Sequence, residues 1–403
     1  MSVHQTLRIR AIRVTPLAIP MRIKFEHAAA TRAVADPVMV ELEPAAPAPA
    51  DLRGWGETLA RHYVTGETAA TVPATIENVF VPILSRFRAE SFAEAIEFAD
   101  QLPSYDGEQC IHAARAAVEL AILDLAGRAF GRRLADAVNF LELRDFGSPG
   151  SLATSSYSGI VLGESFKSRC LLAGQRWLGL RDFKIKVAIP GWERRLAAAQ
   201  RVLGKSIAAG RCTLRADANG GWDLPQAVAA LPTLAAAGVS ALEQPLPVAG
   251  DEHLTELVPR AREHGIDLIA DESLITDVDA QMLMTAGVKV MNIRLAKNGG
   301  ILQAWRLARL AMDNDCDVQL GCLVGETSIL TAAGQAFLEG CPRVRFAEGA
   351  FGSFLLKADV SDRPLRFGLG GRLRALSSAG LGIDVDADRV QKLAAADATR
   401  IIL

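Results

Sequence analysis

From about residue 180 to residue 347 the chain repeats a single pattern, and that pattern limits the fold more than any other feature. Short apolar runs, rich in β-branched residues, alternate with Ala- and Leu-rich stretches of helical period. The runs are Phe183–Val187, Cys212–Ala216, Val239–Leu242, Ile266–Ala270, Val288–Ile293, Val318–Leu320 and Val344–Ala347. Between them lie amphipathic stretches such as Glu193–Ala208, Asp223–Ala237, Glu252–His264 and Leu302–Met312. A run that is apolar throughout suits a parallel strand covered on both faces. Spaced at about 22–29 residues, the runs read as successive βα units. Leu152–Val161 supplies a further strand ahead of the series, giving seven or eight units. That number favours a closed β/α barrel over an open doubly wound sheet, and no G-x-G-x-x-G follows the early strands.

The first ~140 residues follow another pattern. Leu7–Pro20 and Pro37–Pro44 read as antiparallel strands, Gly54–Glu67 as a loop after a strand, and Ala93–Leu102 and Ile111–Leu125 as helices. This is an α+β arrangement. Phe146–Ser151, with Gly147, Pro149 and Gly150, reads as a linker. The last ~40 residues carry several glycines and strand-like pieces beyond the barrel count, and are expected to fold back on the first region. The expected organisation is therefore an N-terminal region 1–145, a barrel 146–360 and a returning segment 361–403.

Three classes of function find no support. The net charge of -2 over 403 residues gives no basic excess for nucleic acid and no acidic tail. No apolar run reaches the ~18 residues of a membrane span. The start, MSVHQTLRIRAIRV, lacks the apolar core and cleavage site of a signal peptide, so the expected location is cytoplasmic. The six cysteines form no C-x-x-C pair, which argues against zinc-knuckle or thioredoxin chemistry. Buried, reduced thiols are expected instead.

Three acids stand at the ends of successive expected strands: Asp217 in L-R-A-D-A-N, Glu243 in A-L-E-Q-P and Asp271 in I-A-D-E-S. Their separations, 26 and 28 residues, are each close to one βα unit. Strand C-termini of a barrel converge on one rim, so three such carboxylates face a common point. Taken singly, each reads as a helix cap or rim charge. Three together in a dry pocket repel unless a cation neutralises them. All-oxygen ligation selects a hard ion, Mg²⁺ or Mn²⁺, and no His or Cys nearby has zinc-ligand spacing.

Lysines frame the same rim. In F-K-I-K-V, Lys184 and Lys186 share one face of a strand. Two inward lysines are costly without a charged partner, and a metal-bound carboxylate substrate would be one. A neighbouring ammonium and a metal should depress the pKa of one lysine, making it a base near neutrality. An exposed edge strand is the other reading of K-x-K. Lys297, in R-L-A-K-N-G-G, ends a strand on the far side of the barrel, so a substrate between it and Lys186 would have one lysine on each face.

The series K-x-K, D-x-N, E-Q-P, D-E-S and K-x-G-G, in this order and at barrel spacing, resembles the muconate lactonizing subgroup of the enolase superfamily, within the mandelate racemase/muconate lactonizing enzyme family. The resemblance spans about residues 150–360. It implies a modified (β/α)7β TIM-like barrel, with an α+β capping domain built from the N-terminal region and the C-terminal tail. It implies an isomerase, a cycloisomerase or a racemase/epimerase, acting through an enediolate with bound Mg²⁺. By position, Asp217, Glu243 and Asp271 become metal ligands, Lys186 and Lys297 the acid/base pair, Lys184 their electrostatic neighbour, and Asn219 and Asn292 hydrogen-bonding supports. The implied partner is a small-molecule carboxylate, and the implied assembly a homo-oligomer.

Departures from the pattern narrow this. The mandelate-racemase-like subgroup carries a His on the seventh barrel strand. None of the six histidines here falls on Q-L-G-C-L-V-G-E. Glu326 is set one residue further along than the family spacing and is a candidate substrate-site acid. The D-x-D of dipeptide epimerases is absent from F-A-E-G-A-F-G. Syn-dehydratase and succinylbenzoate-synthase chemistry stay open, as does a non-catalytic metabolite-binding barrel. Specificity in this family lies partly in two capping loops, here Met21–Arg32 with His27, and Gly54–Gly66 with Arg61, His62 and Tyr63.

Overall fold

A computed structural model describes residues 6–27, 30–146, 156–396 and 398–403, apart from the side chains of residues 23–32. Most of the expected linker 146–151 and the start of the run 152–161 lie outside the described residues.

The N-terminal region forms an antiparallel sheet. Strands β1 (Ile9–Pro16), β4 (Val38–Pro44) and β5 (Gly54–Thr58) are joined by the last strand, β16 (Thr399–Ile402), in the order β16-β1-β4-β5. Between them β2 (Ile19–His27) and β3 (Ala30–Ala35) form a hairpin, and β6 (Tyr105–Asp106) and β7 (Gln109–Cys110) a smaller one. The short helices α1 (His62–Thr65), α2 (Val72–Thr75) and α3 (Val81–Leu84) precede α4 (Phe92–Asp100) and α5 (His112–Phe130). The expected loop from Gly54 thus begins as a strand. Its pattern G-W-G-E-T hid that, because glycine weakens a strand signal. The reason for the glycines is contact: a Cβ on Gly54 or Gly56 would overlap the backbone of α5 at Ala121 or Ala117.

The remainder is a closed barrel of eight parallel strands: β8 (Gly159–Val161), β9 (Asp182–Lys186), β10 (Thr213–Asp217), β11 (Val239–Glu243), β12 (Asp267–Ala270), β13 (Val290–Ile293), β14 (Asp317–Leu320) and β15 (Val344–Ala347). Ser158 N donates to Ala347 O at 2.8 Å and closes the ring. Seven helices separate the strands: α6 (Phe166–Trp177), α7 (Trp192–Ala208), α8 (Leu224–Ala236), α9 (Leu254–Glu263), α10 (Asp277–Thr285), α11 (Ile301–Asp313) and α12 (Ser328–Gly340). The expected (β/α)7β barrel with its α+β cap is the fold found. After β15 come α13 (Gly352–Leu355) and α14 (Ala387–Leu393) before β16 returns to the first sheet.

The barrel interior is filled below the rim. Ala241, Ile269, Val290 and Phe346 form a separate buried cluster, and the Arg215 guanidinium stacks on the Phe346 ring at 4.8 Å. No described helix is long and apolar enough to cross a membrane. All six cysteines are free; three are buried, Cys110 and Cys322 are half-buried and Cys170 is exposed, so the expected burial holds for half of them.

Candidate active site

Strand register assembles the site. Lys186 of β9 pairs with Asp217 of β10, and Asp217 with Glu243 of β11, so three charged residues sit level at the strand ends. Asp271 follows directly on β12. The Gln244 amide ties these strands together. Its Oε1 accepts from Asp271 N at 3.0 Å and Ser273 N at 3.2 Å, and its Nε2 donates to Ser273 Oγ at 2.7 Å. The Gln of E-Q-P and the Ser of D-E-S are therefore one clamp.

Asp217, Glu243 and Asp271 are fully buried. Lys184 Nζ lies 2.7 Å from Asp217 Oδ2 and 2.9 Å from both Glu243 Oε1 and Glu348 Oε1. Lys186 Nζ lies 2.7 Å from Asp217 Oδ2 and donates to Asn219 Oδ1. Arg294 grips Asp271 Oδ2 and comes within 3.9 Å of Glu243 Oε1. Glu243 also accepts from Asn292 Nδ2 at 3.1 Å and Gln319 Nε2 at 3.0 Å. Lys297 Nζ donates to Asp271 O at 2.6 Å, Asn292 O at 2.9 Å and Asp271 Oδ1 at 3.1 Å.

The electrostatics follow burial and neighbours. Burial opposes the charge of Asp217, but Lys184 and Lys186 outweigh it and hold the carboxyl well below the usual range. Burial, reinforced by Asp217, pushes Glu243 up to about 7 despite Lys184. Burial also raises Asp271, against the pull of Arg294. Burial opposes Lys184's charge, yet its three carboxylates raise its pKa well above the ordinary value. Lys297 is the lysine whose pKa is lowered, by burial first, against Asp271.

Above these charges opens a cavity of about 380 Å³. Its charged end is formed by Lys184, Lys186, Asn219, Arg294 and Glu348. One wall is apolar, with Ile160, Val161, Leu323, Val324, Phe351 and Leu355. Arg61, Tyr63, Arg195 and Glu326 complete the lining. Lys297, Asp217, Glu243 and Asp271 lie beneath the lining rather than in it. Arg61 is held by Asp36 at 2.9 Å and by Val324 O at 3.1 Å. Glu326 Oε1 accepts from Leu323 N at 2.6 Å, and burial pushes its carboxyl up to about 8. His62 starts α1 and is absent from the lining; the side chain of His27, at the end of β2, lies outside the described residues.

Among the described residues no group of three or more His, Cys, Asp or Glu side chains is arranged to hold a metal. Cations of the chain itself fill the space between the acids. The donor chemistry nonetheless fits a hard cation. Three buried carboxylates supply oxygens, and Glu272 Oε2, Asn292 Oδ1 and Gln319 Oε1 are further buried oxygens without a hydrogen-bond partner.

Sequence reasoning missed four residues. Arg215 and Arg294 point inward by strand alternation with Asp217 and Asn292, a signal that could have found them. Glu348, just past β15, is anchored by Arg215 Nη2 at 2.5 Å and by Lys184, which together hold its carboxyl at about 2 against burial. Arg195, in the first turn of α7, lines the cavity and has no ion-pair or side-chain hydrogen-bond partner among the described residues; no local motif marks it.

Two family descriptions match the chain. Residues 9–138 match the mandelate racemase / muconate lactonizing enzyme N-terminal domain, and residues 171–389 the enolase C-terminal domain-like family. An L-Lys-D/L-Arg epimerase of Methylococcus capsulatus is 28% identical over 371 residues, 91% of this chain and 95% of its own length. A chloromuconate cycloisomerase of Cupriavidus pinatubonensis is 27% identical over 350 residues, 84% of this chain and 86% of its own. In structure, the N-succinyl Arg/Lys racemase of Bacillus cereus superimposes with a TM-score of 0.81 at 20% identity, covering 98% of this chain and 100% of that one. The muconate lactonizing enzyme of Pseudomonas putida gives 0.79 at 20% identity, covering 96% and 99%.

Proposed function

Because the chain belongs to the mandelate racemase/muconate lactonizing enzyme family of the enolase superfamily, whose members are metal-dependent enzymes, we propose that this isomerase moves the proton α to a carboxylate with Lys186 as its acid/base. One observation carries the choice of residue. Of the two candidate lysines, only Lys186 lines the cavity, its side chain 30% exposed, whereas the Lys297 ammonium is spent on two carbonyls and Asp271. One proton-moving group on one face suits cycloisomerisation of a small carboxylic acid.

Mg²⁺ or Mn²⁺ held by Asp217, Glu243 and Asp271 would neutralise the substrate carboxylate and the charge that develops on it as the proton leaves. The chain's own residues do the rest. Asn219 accepts from Lys186 and donates to Glu272 Oε1 at 3.2 Å, fixing the direction of the ammonium. Lys184 binds Asp217, Glu243 and Glu348 to one another and adds positive charge where the enediolate charge grows, which favours the transition state over the ground state. Arg294 supplies a second fixed cation on the cavity surface. The apolar wall excludes water and so strengthens each of these interactions.

Racemisation or epimerisation is the second reading. It is favoured by the lowered pKa of Lys297, which makes that residue a better base than an ordinary lysine. Exchange of the α-proton with solvent deuterium, over a panel of acids with Mg²⁺, separates the two. Lys186→Ala should lower exchange of the enantiomer whose α-proton faces Lys186 by about 10²–10⁴-fold under either reading. Under cycloisomerisation only that enantiomer exchanges in the parent enzyme. Exchange of the opposite enantiomer, lost in Lys297→Ala, would establish the two-lysine reaction. Full exchange of the Lys186-facing enantiomer in Lys186→Ala would overturn the assignment.

A further inference from the structure

Five consecutive residues, Cys322–Glu326, line the cavity. They belong to the irregular loop between β14 and α12. Both ends of that loop are anchored. Gly321 N donates to Ile293 O at 2.8 Å, and Thr327 N to Glu57 Oε1 at 2.8 Å. Between the ends, Leu323 N and Glu326 Oε1 tie the loop to itself. The cap holds its middle. Arg61 Nη2 donates to Val324 O at 3.1 Å. Gly325, at φ +114°, lies against the end of β3, where a Cβ on it would stand 2.7 Å from Ala35 Cβ. One wall of the barrel's cavity is therefore placed by residues of the cap.

We propose that Arg61 is a positioning residue that selects the substrate's apolar side chain without binding the substrate, because its guanidinium sets where the Leu323–Val324 wall stands. This rests on the reading that the cavity holds the substrate acid. The partners of Arg61 point to this role. Nη1 donates to Asp36 Oδ1 at 2.9 Å and to Ala60 O at 3.0 Å, while Nη2 reaches Val324 O. The Arg61 side chain is 2% exposed, and a guanidinium so buried needs a counter-charge. Asp36 supplies it, which keeps the cation on the wall and off an anionic substrate.

The choice of arginine agrees. A planar fork aims one nitrogen at the carboxylate and the other at the carbonyl, whereas lysine would keep the charge and lose the fork. What the wall meets is also defined. Leu323 and Val324 belong to the apolar side of the cavity, away from the charged end where Lys184, Lys186 and Arg294 stand. Moving that wall leaves the reacting groups in place and changes the room for the rest of the acid. In an apolar pocket a single methylene is worth about 10-fold or more in discrimination.

The test uses the full chain and two independent readouts. The first is kcat and KM over acids that share the reacting carboxylate and differ by single methylenes in an uncharged side chain. In Arg61→Met the spread of kcat/KM across the series should shrink about 10-fold, through KM more than through kcat. Arg61→Lys should behave like Arg61→Met. The second is amide hydrogen exchange read by mass spectrometry. Exchange should quicken about 10-fold in the peptide covering 322–326, and not in the one covering 182–186. Asp36→Asn, at the end of the pair that is 36% exposed, should bring the same two changes and keeps the test decisive if Arg61→Met does not fold. Selectivity retained in Arg61→Lys would overturn the proposal, since charge alone would then suffice. So would a loss confined to acids with a second anionic group, which is direct binding, or unchanged exchange at 322–326. If no acid turns over, the functional reading has failed, and hydrogen exchange still decides whether Arg61 holds the wall.

Discussion

Arg195 and Glu326 differ from the other charged residues of the cavity in what they leave free. Arg61, Lys184, Lys186 and Arg294 are each already answered by a carboxylate. Among the described residues Arg195 has no such partner, so it is a cation open to a second anionic group on the substrate. Arg195→Ala should raise KM about 10-fold for acids with two anionic groups, the worth of one charge-assisted hydrogen bond, and leave single-carboxylate acids nearly unchanged. Equal effects on both kinds of acid in steady-state assays would rule this out. Glu326 behaves differently because burial holds its carboxyl at about 8, aided by nearby Glu57 and opposed by the Leu323 N–H and by Arg294 and Arg61. Below that pH it is a neutral group able to donate a hydrogen bond. Above it, an anion faces an anionic substrate. KM should therefore rise as pH passes about 8 in the parent enzyme, and stay flat in Glu326→Gln, in a pH series of initial rates. A rise that persists in the variant belongs to another group.

At the scale of elements, close backbone approach packs the cap, and carboxylates of the cap at helix N-termini join it to the barrel. Strand β5 lies so near α5 that a Cβ on Gly56 would overlap Ala117 O, whereas Gly131, at the end of α5, has open space and a φ of +65°. Gly56→Ala should cost about 3 kcal/mol or more in urea unfolding, because rigid backbone must move. Gly131→Ala should cost only about 1 kcal/mol, the strain of a positive φ. Equal costs would mean that the β5–α5 contact relaxes easily. The glycines of K-x-G-G have a related cause. Gly299 and Gly300 adopt φ of +83° and +113°, and a Cβ on Gly300 would overlap the Glu119 carboxylate of α5. That carboxylate accepts from Leu302 N at 3.2 Å at the start of α11. The loop bearing Lys297 is thus set by a capping-domain helix.

For the molecule as a whole, the same device appears at Glu57 of β5, which accepts from Thr327 N, Thr327 Oγ1 and Leu330 N at 2.7–3.0 Å across the start of α12. These bonds favour the anion, as does the helix N-terminus, yet full burial dominates and puts the carboxyl at about 7. Between the ordinary value of 4.5 and about 7 the folded chain keeps a proton that the unfolded chain has lost. Stability from this group is therefore greatest at and below pH 4.5 and falls as pH rises to about 7, by roughly 3 kcal/mol in all. Denaturant titrations from pH 5 to 8 should show that fall, and Glu57→Gln should flatten it. A parent stability that rises over this range would refute the account.

Much of this architecture was legible in the residues. Period and apolarity defined the βα series, because strands covered on both faces must be apolar throughout. The 26- and 28-residue spacing of Asp217, Glu243 and Asp271 followed from one acid per strand end. β5 was not legible, since its glycines answer to α5, 69 residues away at the Trp55 N to Asp124 Oδ2 bond of 2.9 Å. Nor was the division of labour between cations: that Arg294 and Lys184 lie over the acids, that Lys186 faces the cavity and Lys297 does not, and that Arg195 has no ion-pair partner among the described residues. The sequence by itself determined the fold class and the strand ends that bear charge, because both depend on periodicity along the chain. Only the tertiary structure decided which charges neutralise one another and which face the cavity, because Coulomb energy and desolvation depend on distances and burial between residues far apart in sequence.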